Sequence, residues 1–319
     1  MPSSISKALL ENRCGVVDRS HRGRLVLKGA DAANLLHGQL SNDIESLAVG
    51  SGCEAGLLTP KGKLLGIVRV LNTAEGEYSL DIDRVSLQDL FDQLRRASVG
   101  HQAELIKATL ETSQLSVIGP NADQVVGSGD LAEEHSSRQV LLGGTRARIV
   151  STWEGADVIF PSEALDGVLT ALKGAGAEPG LEAAAECLRV EAGRPRWGID
   201  LDDSVIPQEA DLNGRLVSFT KGCYVGQETV ARLFYRGSPN RTLRGLLLDQ
   251  PVNPGTPLTL DGKDVGTVGS VSAPQSDAVT ALAIVRNSAE PGFVLDAGGI
   301  EAEVVELPFA PPQQPFGAA

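Results

Sequence analysis

The sequence predicts an α+β fold in which antiparallel strand pairs and helices are followed by a small all-β unit, a barrel or a sandwich. Two observations carry this. Upstream of about residue 238, strand-like and helix-like segments alternate without the regular βαβ period of a doubly wound parallel sheet. Beyond it, short β-prone segments follow one another, separated by Pro, Gly, Asn and Asp turns.

Taken in order, Gly15 to Gly29 reads as a strand and turn, with alternation at Arg24-Leu25-Val26-Leu27-Lys28. Asp31 is placed to cap a helix running through Leu40, with Ala32, Leu35, Leu36 and Leu40 at helical spacing. Leu64–Leu71 and Tyr78–Ile82 flank the polar run from Asn72 to Glu77, a β-hairpin pattern. Ser86 to Arg96 carries Leu87, Leu90, Phe91 and Leu94 on one helical face. A strand at Leu115–Ile118 opens a second cycle: a short helix, paired strands around Val140–Phe160, and a helix from Ser162 to Lys173. After the Gly-rich break at 174–180, Leu181 to Val190 reads as an Ala- and Glu-rich helix. The all-β part contains Leu243–Leu248, Leu258–Leu260, Val265–Val271, Val279–Val285 and Ala302–Leu307, with turns at Asn253-Pro254-Gly255 and Asp261-Gly262. A domain boundary falls near Pro239, giving segments 1–238 and 239–319, and Pro311–Ala319 reads as a loose tail.

At 319 residues the chain exceeds the size at which single cores stop growing. No apolar run is long enough to span a bilayer, and the N-terminus lacks the pattern of a secretory signal, so the expected location is the cytoplasm, with no membrane partner. A net charge of −13 argues against general nucleic-acid binding. Basic residues nevertheless concentrate between Arg189 and Arg244, a segment suited to an anionic ligand. The four cysteines, Cys14, Cys53, Cys187 and Cys223, have neither CxxC pairing nor zinc spacing, so no metal site and no disulfide is expected. No dinucleotide-binding, Walker or serine-hydrolase motif is present.

Two clusters carry chemistry. Cys223 lies in Lys221-Gly222-Cys223-Tyr224-Val225-Gly226-Gln227-Glu228, just ahead of a helix and two residues from a lysine, features that favour a thiolate. The same residue also reads as an inert cysteine filling a turn between glycines. Glu191, at a helix end in Arg189-Val190-Glu191-Ala192-Gly193, requires a cationic or hydrogen-bonding partner against the negative pole. A guanidine-like ligand edge, with Trp197 as a stacking surface, and a simple ion pair with a neighbouring arginine both satisfy it.

The order Gly15-Val16-Val17-Asp18-Arg19-Ser20, Gly29-Ala30-Asp31-Ala32, Gln39-Leu40-Ser41-Asn42-Asp43 and Arg189–Gly193 resembles the T protein, or aminomethyltransferase, of the glycine cleavage system. KGCYVGQE, preceded by Ile206-Pro207-Gln208-Glu209 and followed by Ala231-Arg232 and Tyr235-Arg236-Gly237, resembles the YgfZ branch of that superfamily, folate-binding proteins linked to iron–sulfur cluster assembly or repair and to tRNA modification. The resemblance spans nearly the whole chain. It implies a three-domain ring: two interleaved α+β domains within 1–238, the second at roughly 50–150, and a C-terminal antiparallel β-barrel. Folate would occupy the centre.

By position, the resemblance makes Glu191 the pterin-holding carboxylate, Cys223 the working thiol and Asn42 and Asp43 the border of the folate opening. Trp197, Gln208, Arg232 and Arg236 are further binding candidates, and Lys221, Gly222, Tyr224, Gly226, Gln227 and Glu228 complete the motif. Where aminomethyltransferases carry an Asp-Asp pair, this chain has Gly66 and Ile67, and where some YgfZ proteins place tryptophans it has Arg22 and Ala185. The expected function is therefore a tetrahydrofolate-binding accessory protein that serves iron–sulfur client enzymes through Cys223. The alternative is a folate-dependent one-carbon transferase in which Asp43 or Glu209 replaces the missing acid.

Overall fold

The computed structural model describes residues 10–309 except 128, 130, 132, 181 and 273–278. The segment read as a loose tail and the first residue of the helix expected from 181 lie outside them. Strands β1 (Gly15–Asp18) and β2 (Gly23–Lys28) follow each other closely yet enter different sheets. Helix α1 (Ala32–Gln39) then buries Ala32, Leu35 and Leu36. Asp31 does not cap it: its carboxylate instead accepts the Gln102 amide at 2.6 Å. The cause is Gly29, at φ 134°, where a Cβ would stand 2.0 Å from the Gln102 carbonyl oxygen and hold the two segments apart.

Strands β3 (Gly52–Leu58), β4 (Leu64–Ala74) and β5 (Glu77–Ile82) form an antiparallel meander. The β4–β5 hairpin turns at Glu75-Gly76, tighter than the polar run predicts, because β4 stays paired through Ala74. A 3₁₀ turn (Arg84–Ser86) leads into α2 (Leu87–Ala97), whose Leu90 and Leu94 meet Leu35, Leu80 and Ile82 in the first core. Edge strand β6 (Glu104–Lys107) completes a sheet of order β3-β4-β5-β2-β6.

The second sheet comprises β7 (Thr112–Ile118), β8 (Ser137–Leu142), β9 (Thr145–Thr152), β10 (Gly155–Pro161) and β11 (Glu178–Pro179), with α3 (Ala122–Val126) and α4 (Leu165–Gly174) between them. Its order, β11-β1-β7-β10-β9-β8, includes β1, paired from Gly15↔Ile118 to Asp18↔Leu115. The span 50–150 therefore straddles both sheets: pairing passes from the first to the second between Lys107 and Thr112, and β1 crosses into the second.

A connector carries α5 (Glu182–Glu191), a 3₁₀ turn (Pro207–Ala210), α6 (Asn213–Leu216) and α7 (Gln227–Arg236). Strands β12 (Arg241–Leu248), β13 (Pro257–Leu260), β14 (Lys263–Val271), β15 (Val279–Arg286), β16 (Val294–Asp296) and β17 (Glu301–Val305) close into a six-stranded antiparallel barrel. Each unit has its own core, and smaller clusters join them. Ala184 and Ala185 of α5 pack on Val17 and Ile118, Val190 packs on Leu243 and Leu282 of the barrel, and Leu201, Leu216 and Val230 pack on Leu58 and Leu64 of the first sheet. Two mixed α+β units and a barrel are thereby held around a central cavity.

Candidate functional site

The cavity, about 190 Å³, takes its walls from both sheets and the connector. The first sheet contributes Glu54, Ile67, Arg69 and Asp81, and the second contributes Gln114, Thr152 and Asp157, with Trp153 and Glu154 in the β9–β10 turn. Helix α5 presents Glu182, Glu186 and Arg189, and the connector adds Arg194, Trp197 and Arg215.

Register explains the charged wall. Arg69 and Asp81 are direct cross-strand partners on β4 and β5, an arrangement that favours opposite charges, and Arg69 Nη2 reaches Asp81 at 2.6 Å. Its other terminal nitrogen binds Asp157 across the gap between the sheets. Asp157 also accepts Gln114 Nε2 at 3.0 Å and the hydroxyl of Ser116, its register partner on β7. Arg22 adds bonds to Asp81 at 2.6 Å and Asp83 at 3.0 Å. Burial alone would raise the Asp81 pKa, but Arg22 and Arg69 outweigh it and hold the carboxyl well below the usual range.

Other carboxylates behave differently. Burial would also raise Glu54 and Glu134, but they are lowered by their partners Arg215 and Arg194 respectively. Glu154 moves the other way. Burial raises it, the charges of Asp157 and Glu182 add to the effect, and the Arg19 ion pair at 2.6 Å does not compensate. It is thus a wall carboxyl whose proton affinity is raised. Several wall atoms are buried without a hydrogen-bond partner: Gln114 Oε1, Thr152 Oγ1, Arg69 Nε and His135 Nδ1. Such atoms cost stability unless a ligand or water receives them.

Of the binding residues expected from sequence, Trp197 lines this cavity. Glu191 ends α5 outside the wall, and its carbonyl accepts the Phe309 amide at 3.0 Å. Glu182, Glu186 and Arg189 share one helical face, whereas Glu191 is two residues, about 200° of rotation, beyond Arg189. Asn42 donates to the carbonyls of Glu54 at 2.7 Å and Arg215 at 3.0 Å, and Asp43 accepts the Ser46 amide, so this turn supports two wall residues from behind. Gln208 in the Pro207–Ala210 turn and the exposed Arg232 and Arg236 of α7 also lie outside the wall. Neither proposed substitute acid reaches it: Asp43 stays in its turn, and Glu209 is bound to the Ile206 amide and Arg241. At the positions of the missing tryptophans, Arg22 lines the cavity and Ala185 is buried in the joint between α5 and the second sheet.

The motif forms a separate surface. Cys223 and Gly222 are exposed and outside the cavity wall, while Tyr224 is buried beneath them, its phenol pushed up to about 12 by burial. Lys221 does not serve the thiol. Its ammonium donates to the carbonyls of His37, Leu40 and Asn42 at the end of α1, and burial lowers its pKa to about 8. Gly226, at φ 86°, lies where a Cβ would be 2.5 Å from the Thr59 carbonyl oxygen. Gln227 and the exposed Glu228 then open α7.

Residues 7–221 match the family model described as the GCVT N-terminal domain. A putative chloroplastic transferase of Arabidopsis thaliana is 29% identical over 321 residues, covering 97% of this chain and 74% of that protein. An aminomethyltransferase of Moorella thermoacetica is 28% identical over 326 residues, covering 94% and 87%. The crystal structure of glycine cleavage system aminomethyltransferase T from Bartonella henselae superimposes with a TM-score of 0.88 at 22% identity, covering 98% of this chain and 90% of that one, a likeness of fold.

Proposed function

This chain belongs to the GCVT N-terminal domain family, and from that premise we propose that it is a tetrahydrofolate-binding protein. We assign it to the YgfZ type, a cytoplasmic accessory of iron–sulfur cluster assembly or repair with a link to tRNA modification. The observation that carries folate binding is the central cavity, in which buried polar atoms lack partners inside a wall of paired charges. The wall suits the ligand. Gln114 Oε1 is an acceptor for a pterin amino or ring N–H, with its orientation set by the bond from Nε2 to Asp157. Trp197 provides flat apolar surface, and Arg196, partly exposed beside Glu186, suits a carboxylate of a glutamate tail. The volume is below the ~300 Å³ at which whole drug-sized ligands are enclosed, which fits a buried head with an emerging tail. A reduced folate bound there would supply one-carbon carrier chemistry.

The YgfZ assignment rests on KGCYVGQE and on the exposure of its thiol, which suits work on an external client. One observation favours a folate-dependent transferase instead: Glu154, a buried carboxyl with raised proton affinity, lines the cavity.

Calorimetric titration with 5-formyltetrahydrofolate tests the first reading. Wild type and Cys223→Ala are expected to bind equally and to gain about 2.7 kcal/mol of stability at a ligand concentration 100 times Kd. No heat and no thermal shift would remove folate. Cys223→Ala is expected to fail in complementing a strain lacking its family member; full rescue would remove the thiol. Turnover of an aminomethyl donor, abolished by Glu154→Gln, would favour the transferase.

A further inference from the structure

We infer that His135 is a ligand-recognition residue of the central cavity, contacting the bound molecule through Nδ1 of a neutral imidazole. The inference rests on the folate reading for the ligand's identity, and on four observations for the residue.

His135 lies in the loop before β8, at φ 69°. Left-handed backbone at a non-glycine residue is uncommon and persists where surrounding contacts impose it. Here the His135 amide donates to the Ser151 carbonyl at 2.8 Å, and the next residues are held by Ser137 N donating to the Gly50 carbonyl. The loop is thus clamped between the two sheets, and the imidazole is aimed at the cavity. Its side chain is 12% exposed, yet Nδ1 is buried with no hydrogen-bond partner. The nearest carboxylate oxygen, Glu134 Oε1, is 3.8 Å from Nε2, beyond hydrogen-bond range.

Burial favours the neutral form of the ring. Burial lowers its pKa, reinforced by Arg69 of β4 and Arg215 of α6 and opposed by Glu54 of β3 and Glu134 of its own loop. Each opposing carboxylate is already paired, Glu54 with Arg215 and Glu134 with Arg194, so neither is free to draw a proton onto the ring. In the same wall, Gln114 Oε1 and Thr152 Oγ1 are buried and unpartnered. Gln114 is 1% exposed. A neutral imidazole, an amide oxygen and a hydroxyl together match a planar, uncharged heterocycle with alternating donors and acceptors, such as a pterin. A protonated imidazole would replace an acceptor by a donor and bring a charge into the wall.

Titration calorimetry with 5-formyltetrahydrofolate at pH 5.0–8.0, on full-length wild type, His135→Asn and His135→Ala, tests this. Asparagine tolerates left-handed backbone and keeps a polar atom near the Nδ1 position without titrating. Wild-type affinity should be flat from pH 8.0 through 6.5 and fall only at more acid pH, since the ring titrates below its ordinary range, the fall approaching tenfold per pH unit once the ring is protonated. His135→Asn should bind comparably at pH 7.5 with the imidazole-dependent loss absent. His135→Ala should bind about five- to tenfold more weakly at pH 7.5, the size of one hydrogen bond. Identical pH profiles for wild type and His135→Asn, with binding intact at pH 7.5, would overturn the role of His135 and leave the folate reading standing. Absence of binding by wild type at pH 7.5 would overturn the folate reading and the ligand assigned to His135 with it.

Discussion

Replacing Arg69 by methionine should cost about 3 kcal/mol, and the structure explains why the value sits low in the usual range. Arg69 is 8% exposed and joins Asp81 of its own sheet to Asp157 of the other. Removing one member of a buried ion pair typically costs about 3–5 kcal/mol, because the remaining charge is left uncompensated. Here both carboxylates keep other donors: Asp81 retains Arg22, and Asp157 retains Gln114 and Ser116. Methionine preserves much of the buried stem, so the loss is mainly electrostatic. Urea unfolding followed by tryptophan fluorescence is a direct assay, since both tryptophans, Trp153 and Trp197, line the cavity that Arg69 helps close. Arg84→Met, at an exposed position, is the control and should stay within about 0.5 kcal/mol. Adding Asp157→Asn to Arg69→Met should recover at least about 1 kcal/mol by removing an under-compensated carboxylate. Equal effects of Arg69→Met and Arg84→Met would refute the claim that this bridge holds the two sheets together.

Cys223 should be alkylated first under native conditions: it is exposed, Cys14 and Cys187 are buried, and burial pushes the Cys53 thiol up to about 12. Peptide mapping that finds Cys53 modified before Cys223 would contradict this. Gly226→Ala should cost about 2 kcal/mol or more, from left-handed backbone and the 2.5 Å approach to Thr59, whereas Gly222→Ala meets no atom within 4 Å and should be nearly neutral; equal urea midpoints would refute the distinction. Acid should destabilise the fold. Asp81, Glu54 and Glu134 have lowered folded-state pKa values, so their contribution is present above about pH 4.5 and is lost as pH falls through the folded values; Glu154, raised, opposes them. A urea midpoint at pH 2.5 equal to that at pH 7 would refute this balance, and Asp81→Asn should flatten the dependence below about pH 4.

Periodic apolar patterns made many elements legible. The helix from Leu87 and most barrel strands follow their hydrophobic residues closely. Strands β6 and β16 went unread because each is short with exposed positions, and β6 pairs with β2, about 80 residues earlier. The separation of β1 from β2 into different sheets likewise depends on β7, nearly 100 residues away, which local pattern cannot express. The cavity was less legible. Its charges sit on strands whose partners fix their direction, and Glu191 was placed by motif position when the helical face belonged to Glu186 and Arg189. One signal was available: Asp81 stands between Leu80 and Ile82, and Asp157 between Ala156 and Val158, and a carboxylate buried among apolar neighbours requires a partner. His135 offered no comparable cue, since its backbone angle and orphan nitrogen arise only in the assembled structure.

Cavity and motif occupy different surfaces, yet a continuous set of bonds joins them. Arg215 faces the cavity and binds Glu54, while six residues later Lys221 anchors the loop that carries Cys223. Asn42 lies between: its amide donates to the carbonyls of Glu54 and Arg215, and its own carbonyl accepts Lys221. Ser218 N donating to the Ser41 carbonyl and Val225 N to the Gly38 carbonyl extend the same seam along the end of α1. The motif lysine therefore spends its charge on helix carbonyls rather than on the thiol, and the glycine at 226 permits the close approach to Thr59 that fixes the loop's far end. A thiol held this way has little freedom to swing toward the cavity, so chemistry at Cys223 requires that its partner come to the surface where the loop presents it.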